Sequence, residues 1–375
     1  MKIALYGGAF NPVHNEHINI VKAAIESLGL DKVIVIPTAV SPHKKGVMTA
    51  SPRDRLKLCR LAFEGMQNVE VSDYEIKRGG VSYSYVTCRH FKKLYENDEL
   101  YFIIGADMLK SFHLWKQPED ILKCVTLTVC ARENEAELQS YIKIFRQNFK
   151  SEIVNFGYVG KSVSSTKVRT LAALGEDTAG LTSEKVRLYI KNKELYALKE
   201  LWKVKDYLKK ERWEHTVRVA VKAAENSRAA GVYEIDAITA AALHDCAKYL
   251  SLDAEELKGF TLKGDVPEAV VHQFTGAYVA EHTFGIKDEN ILNAIRYHST
   301  GRENMSALEK LIYLADLLEE GRDFDGVQAL RQKLKRGLNE CMKAALEHQL
   351  NYLISTGKPV HPLTQRAYDY IKKGV

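Results

Sequence analysis

His14 and His17 stand three residues apart behind a glycine pair, in the run Gly7-Gly8-Ala9-Phe10-Asn11-Pro12-Val13-His14-Asn15-Glu16-His17. Two glycines let backbone amides come close to a ligand. Histidines at this spacing share one face of a helix's first turn, where the dipole and amides favour an anion. A triphosphate suits such a place, because nucleotidyl transfer asks mainly for positioning and charge neutralisation. An isolated His-x-x-His more often caps a helix, but here strand, Gly-Gly, Pro and helix follow in the order the chemistry needs. A second anion site is expected in Ser162-Val163-Ser164-Ser165-Thr166-Lys167-Val168-Arg169, where hydroxyls open a helix and Lys167 and Arg169 fall in its first turns. Gly160-Lys161-Ser162 is no P-loop, since Asn155 stands where that motif needs its first glycine.

Farther along the chain come His215, His244-Asp245, His272, His298 and Asp316. Imidazole and carboxylate donors together suit a first-row transition metal, and donors from separate helices can meet in a bundle core. Six donors exceed the need of one ion, so two metals bridged by Asp245 are expected. A lone His-Asp pair means little; the ordered set carries the reading. Cys246 reads as packing.

These residues need elements to hold them. Up to about residue 195, short apolar runs at Lys2 to Tyr6, Lys32 to Pro37, Leu100 to Gly105 and Leu127 to Ala131 read as buried parallel strands. Between them, Ile18, Val21, Ile25 and Leu28 form one helical face closed by Gly29, and Ser51-Pro52 with Asp54 opens another helix. This alternation predicts an α/β doubly wound parallel sheet with ligands at the carboxyl ends of its strands. After Tyr196 the pattern turns all-helical, for example at Trp213 to Ser227, Ile235 to Tyr249 and Leu308 to Glu320, with the boundary near Leu195 to Lys205.

A length of 375 residues suggests two domains. The net charge of +6, from 54 basic and 48 acidic residues, is too small to argue for nucleic acid and suits anionic small molecules. The six cysteines form no Cys-x-x-Cys pair, as in reduced cytosolic thiols. No run approaches the roughly 18 apolar residues of a membrane span, and residues 1–10 lack a signal-peptide core. A soluble cytoplasmic protein is expected, without a nucleic-acid or membrane partner and with a homo-oligomer left open.

The first run resembles the GGxFxPxHxGH signature of the nucleotidyltransferase superfamily with the HIGH-type motif, a Rossmann-like fold, except that Glu16 replaces a glycine. Ser164, Ser165, Thr166 and Arg169 resemble its SSTxxR-type motif, which grips the β- and γ-phosphates. Ser41-Pro42-His43-Lys44-Lys45 resembles the PxHK loop of nicotinate-nucleotide adenylyltransferases, and Ile104-Gly105-Ala106-Asp107 with Leu114-Trp115 their GAD…W segment. Tyr83-Ser84-Tyr85-Val86-Thr87 stands where they carry a YTxxT-like stretch; Tyr85 and Val86 depart from it, so nicotinate against nicotinamide stays open. The resemblance, over residues 1–196, implies that Gly7, Gly8, Phe10, His14, His17, Lys44, Ser164, Ser165, Thr166 and Arg169 hold ATP. It implies that Ser84, Thr87, Asp107, Trp115 and Arg132 hold nicotinate mononucleotide. His14 and His17 would stabilise the transition state of adenylyl transfer, giving deamido-NAD and pyrophosphate. Mg2+ would accompany ATP, held by phosphate oxygens and water.

Glu214-His215-Thr216, Ala242-Leu243-His244-Asp245 and Tyr313-Leu314-Ala315-Asp316 resemble the H…HD…D signature of the HD-superfamily metal phosphohydrolases. The stretches around His272 and His298 resemble one subgroup, the bacterial symmetrical bis(5′-nucleosyl)-tetraphosphatases, except that Gln273-Phe274 replaces a small Gly-Pro-like element. Over residues 197–375 this implies an all-α HD domain in which His215, His244, Asp245, His272, His298 and Asp316 bind one or two transition metals. Iron is expected first, with manganese or zinc as alternatives. The implied reaction is hydrolysis of diadenosine tetraphosphate to two ADP, with Asp245 at its centre and with Lys248, one turn beyond it, and Arg296 and Arg302, around His298, as candidates for gripping the polyphosphate. Hydrolysis of another nucleotide, or a regulatory module that binds nucleotides without turnover, is the alternative.

Overall fold

The computed structural model of the chain describes residues 1–40, 46–131, 135–160, 163–262, 264 and 266–373. It divides into two compact units. The first comprises Met1–Lys45, Thr49–Arg169 and Asp177–Leu195, and the second Gly46–Met48, Thr170–Glu176 and Tyr196–Val375.

The first unit is built on six strands: β1 (Lys2–Gly8), β2 (Lys32–Pro37), β3 (Val69–Val71), β4 (Glu99–Gly105), β5 (Thr126–Ala131) and β6 (Ile153–Val159). Their order is β3-β2-β1-β4-β5-β6, and every pairing is parallel. The doubly wound expectation therefore holds, with two strands more than the four read from the sequence. β3 has only three residues at the sheet edge. β6 is interrupted by Asn155 and Gly157, and its register with β5 shifts between Val129 and Ala131, so neither strand has a clean apolar run. The strand order reverses between β1 and β4, which opens a crevice at their carboxyl ends. Gly7-Gly8 ends one of these strands and Gly105 the other.

The helices flanking the sheet follow local signals. Asn15–Leu28 stops at Gly29, whose φ of 62° suits a residue without Cβ. Pro52–Ala62 is capped by Ser51, whose hydroxyl accepts the Asp54 N–H at 3.1 Å. Ile3, Leu5, Ile34, Phe102, Ile104, Leu127 and Val129 form the core of the sheet with Phe112, Leu138 and Phe145.

Tyr196 onward is helical, with no strand among the described residues. Lys210–Ser227, Glu234–Leu243, Glu268–His282, Glu289–Arg296 and Ala307–Leu318 surround a core rich in alanine, including Ala220, Ala223, Ala237, Ala240, Ala241, Ala294 and Ala315. The helix read as Ile235 to Tyr249 stops at Leu243. Beyond it, Cys246 N–H bonds the Leu243 carbonyl at 3.1 Å and Lys248 N–H that of Asp245 at 2.8 Å. These tight i to i+3 turns put His244-Asp245 at the end of the helix. Two upstream segments belong to this unit as well. The Glu234 N–H bonds the Gly46 carbonyl at 2.9 Å, and the indoles of Trp202 and Trp213 bond the Ala173 carbonyl and the Glu176 carboxylate. No helix of the described residues is long and apolar enough to cross a membrane.

Candidate functional site

At the end of β1, Phe10 takes a left-handed φ of 44° and folds its buried ring back over the loop, 5.1 Å from the His17 ring and 5.4 Å from that of Tyr6. A Cβ on Gly8 would lie 3.1 Å from the Phe10 ring, so the second glycine makes room for this turn. His14 is the N-cap residue of the helix Asn15–Leu28, and its backbone N–H donates to His17 Nδ1 at 3.1 Å. A neutral His17 therefore carries its proton on Nε2. The two rings lie 3.7 Å apart. The helix start is less open than the sequence suggested, because the Asn15 N–H already bonds the Leu181 carbonyl at 2.8 Å.

Glu16 does not face solvent. It is buried, and its carboxylate accepts the Tyr158 hydroxyl at 2.6 Å and the Asn19 amide at 3.4 Å. Burial and this carboxylate push the Tyr158 phenol far up. β6 thus supplies the partner that a carboxylate in this position requires, and Tyr158 was not singled out from the sequence. Arg55 was also missed. It is 2% exposed and its guanidinium binds the carbonyls of Ala9, Thr38, Ala39 and Ala50, tying the glycine loop to the end of β2.

The helix Ser165–Ala173 starts beside the same loop. Ser165 donates to the Pro12 carbonyl at 2.8 Å, and buried Arg169 to the Asn11 carbonyl at 2.6 Å and Thr166 Oγ1 at 3.0 Å. Ser164 caps the helix by accepting the Lys167 N–H at 3.1 Å. Arg169 thus holds the glycine loop, while Ser164, Ser165, Thr166 and Lys167 keep partial exposure. Lys44 and Arg132 lie outside the described residues.

At the end of β4, Asp107 is exposed and half-buried Trp115 packs on Phe112 and Phe102, with ring centroids 5.2 and 6.3 Å away. Ser84 opens the helix Ser84–Leu94 and is partly exposed. Thr87 is 2% exposed, and its hydroxyl donates to buried Glu75 at 2.5 Å. Burial, against the hydrogen bonds of Ser82 and Thr87, raises the Glu75 carboxyl above its ordinary value.

In the second unit the six expected donors converge. His215, His244 and Asp316 can place one atom each within 4.8 Å of one another, as can His244, Asp245 and His298. His272 Nε2 lies 3.2 Å from His298 Nε2 and 3.3 Å from Asp245 Oδ1. The Nδ1 atoms of His244 and His298 meet the carbonyls of Ala241 and Ile295 at 2.6 and 2.8 Å, and that of His215 meets Glu319 at 3.1 Å. Each ring is thereby turned with Nε2 inward. The inward atoms His215 Nε2, His244 Nε2 and Asp245 Oδ1 are buried without a hydrogen-bond partner, the condition expected of metal-ligand atoms. The donor set fits one or two transition-metal ions.

The electrostatics agree. Burial opposes ionisation of Asp245, but His244, His298 and Lys248 outweigh it and hold its carboxyl far below the usual range. Burial and the neighbouring cationic groups push His272 down to about 3 and His298 to about 4, which favours neutral imidazoles. The Lys248 ammonium lies 3.0 Å from His272 Nε2 and 3.9 Å from Asp245, and burial lowers its pKa. Arg212, one turn before His215, was not anticipated; its guanidinium lies 3.0 Å from Asp245. Arg322 holds Asp316 at 2.6 Å.

Arg302 and Arg296 each have protein partners. Arg302 forms a two-pronged pair with buried Glu309, at 2.6 and 3.0 Å. Arg296 hydrogen-bonds Asn293 and lines a pocket of about 300 Å³ with Phe260, Leu262, Phe274 and Tyr278. Gln273, in place of a small residue, is fully buried and clamps the turn after His298, accepting the N–H groups of Ser299 and Thr300 at 3.2 and 3.3 Å. Cys246 packs as expected, its thiol 3.5 Å from the Gly276 carbonyl.

These two sites can be set beside known proteins. The cytidylyltransferase-like family matches residues 5–171 and the HD domain family residues 212–321. A Mycoplasma genitalium protein described as a probable nicotinate-nucleotide adenylyltransferase/Ap4A hydrolase is 32% identical over 330 residues, 86% of this chain and 88% of that protein. The chain belongs to this two-domain family. Part of the family's likeness extends to shorter proteins. A probable nicotinate-nucleotide adenylyltransferase of Clostridium tetani is 36% identical over 197 residues, 52% of this chain and 98% of its own length. A crystal structure of an HD superfamily hydrolase from Clostridium acetobutylicum, described as involved in NAD metabolism, is 31% identical, with a TM-score of 0.45, and covers 47% of this chain and 97% of its own.

Proposed function

We propose that the chain is a bifunctional enzyme. Residues 1–196 transfer the adenylyl group of ATP to nicotinate mononucleotide, and residues 197–375 hydrolyse diadenosine tetraphosphate to two ADP. The observation that carries this reading is the convergence of six candidate metal donors in the second unit of a chain whose family relatives bear both names. Six cysteines without disulfide partners are in keeping with a reducing cytoplasm.

In the first site, the substrate phosphate attacks the α-phosphorus of ATP and pyrophosphate leaves, so no covalent enzyme intermediate is needed. The Nε2–H of His17, set by the backbone of His14, donates toward charge that builds in the transition state. Arg55, Ser165 and Arg169 hold the carbonyls of Ala9, Pro12 and Asn11, which keeps the loop in one shape. Asp107 and Trp115, at the end of β4, take the acceptor nucleotide, and Mg2+ enters with ATP. In the second site, His215, His244 and His298 through their inward Nε2 atoms, with His272, Asp245 and Asp316, would hold one or two metal ions, iron first and manganese or zinc as alternatives. A bound ion there would supply Lewis acidity and neutralise phosphate charge. Lys248 and Arg212 face the same Asp245 and orient the polyphosphate.

The test begins with the whole protein purified anaerobically and its metal quantified. Pyrophosphate release from ATP and nicotinate mononucleotide is expected, as is ADP as the product from diadenosine tetraphosphate. ATP plus AMP would overturn symmetric cleavage. No turnover with metal bound would assign the HD half another phosphorylated substrate.

A further inference from the structure

Glu319 lies just beyond the helix Ala307–Leu318, three residues after Asp316, and is 2% exposed. One carboxylate oxygen, Oε1, meets His215 Nδ1 at 3.1 Å. The other accepts Arg218 Nε at 2.6 Å and the Gly321 N–H at 2.5 Å. Arg331 anchors the backbone here through the carbonyls of Leu318 and Glu319, at 3.1 and 2.6 Å. The spacing is matched on two helices, since His215 and Arg218 stand one turn apart, as do Asp316 and Glu319.

We propose that Glu319 is a positioning residue for the metal centre: it holds the His215 proton on Nδ1, leaves the Nε2 lone pair facing Asp316, and so sets metal affinity. This rests on the metal-dependent reading of the second site. With Oε2 taken up by the Arg218 guanidinium and the Gly321 N–H, the carboxylate offers Oε1 to His215 as an acceptor. The ring must then carry its proton on Nδ1. Its Nε2 lies 3.0 Å from Asp316 Oδ1, buried and without a hydrogen-bond partner, where a metal needs a lone pair.

Glu319→Gln separates this role from packing. Two donors face the Oε2 position, so the amide oxygen of glutamine must sit there and its NH2 must face His215 Nδ1. That reverses the tautomer and puts a proton on Nε2, as an isosteric amide does behind a catalytic histidine.

Free Mn2+ followed by electron paramagnetic resonance gives the dissociation constant of the full chain, with the melting temperature of the chelator-treated protein as the control for folding. Glu319→Gln is expected to bind Mn2+ about 10- to 100-fold more weakly with its metal-free melting temperature retained, and Glu319→Asp to recover part of the loss. Unchanged affinity in a folded Glu319→Gln overturns the proposal. Absence of binding of Mn2+, Fe2+ and Zn2+ alike by the wild-type chain overturns the metal reading itself. Should Glu319→Gln not fold, long-range 1H–15N spectra of 15N-histidine-labelled wild type decide: the ring signal lost in His215→Ala must carry its proton on Nδ1, and an Nε2 proton overturns the proposal.

Discussion

The residues that matter most here act through hydrogen atoms whose places are set by neighbours. His17 accepts a backbone N–H on Nδ1 and can therefore donate from Nε2. Its replacement by alanine should lower kcat for adenylyl transfer by about 10²- to 10³-fold, the usual cost of losing one such donor, while diadenosine tetraphosphate hydrolysis is unchanged; a pyrophosphate assay reads this. In the second site, Arg212 sits 3.0 Å from Asp245 without being a metal ligand. Arg212→Met should raise KM for diadenosine tetraphosphate by about tenfold or more, from a charged hydrogen bond worth about 1.5–3 kcal/mol, with metal content retained. Glu75 has its carboxyl raised above its ordinary 4.5 by burial. A carboxyl raised on folding favours the folded state below its unfolded pKa, and that contribution is lost as pH rises through the folded value. Glu75→Gln should therefore flatten the fall in melting temperature above pH 4.5, as a thermal melt series would register.

At the scale of elements, the sites depend on where strands and helices end. β1 and β4 deliver Gly7-Gly8 and Gly105-Ala106-Asp107 to the two sides of the crevice where the sheet order reverses. The helix Glu234–Leu243 stops one residue before His244, so two consecutive side chains reach one centre. Gln273 joins the helix Glu268–His282 to the turn that carries His298. Gln273→Ala would leave the buried acceptor absent for two amides and should cost about 1–3 kcal/mol. A lower melting temperature together with weaker Mn2+ binding would be the signature. Unchanged metal affinity would show that the clamp serves stability alone.

For the whole molecule, the two chemistries use separate residues and should be separable. Asp245→Ala is expected to abolish diadenosine tetraphosphate hydrolysis and leave pyrophosphate release intact, with His17→Ala giving the reverse. Metal bound only to the folded second unit stabilises it by about 2.7 kcal/mol at a hundredfold excess over Kd. Calorimetry should therefore show one transition moving up with Mn2+ and back with chelator, while the other stays in place.

Four of six strands, the change from α/β to all-helical near residue 195 and the six histidine and aspartate donors that converge in the second unit were legible in the chain itself. Long apolar runs and rigid chemical requirements leave few alternatives at those places. The edge strands β3 and β6 were not legible, because one is too short and the other is interrupted at Asn155 and Gly157. The directions of side chains were not legible either. Arg302 turned to Glu309, Arg296 to an aromatic pocket and Thr87 to Glu75, each finding a partner that lies close only in the folded chain. Arg212 and Glu319 escaped notice because a charged residue one turn from a ligand looks like any solvated residue until packing removes the water. Local sequence determined which elements form and which donors they carry. Tertiary packing decided which oxygen faces which nitrogen, since burial makes an unpaired charge costly and so forces each one onto the partner within reach.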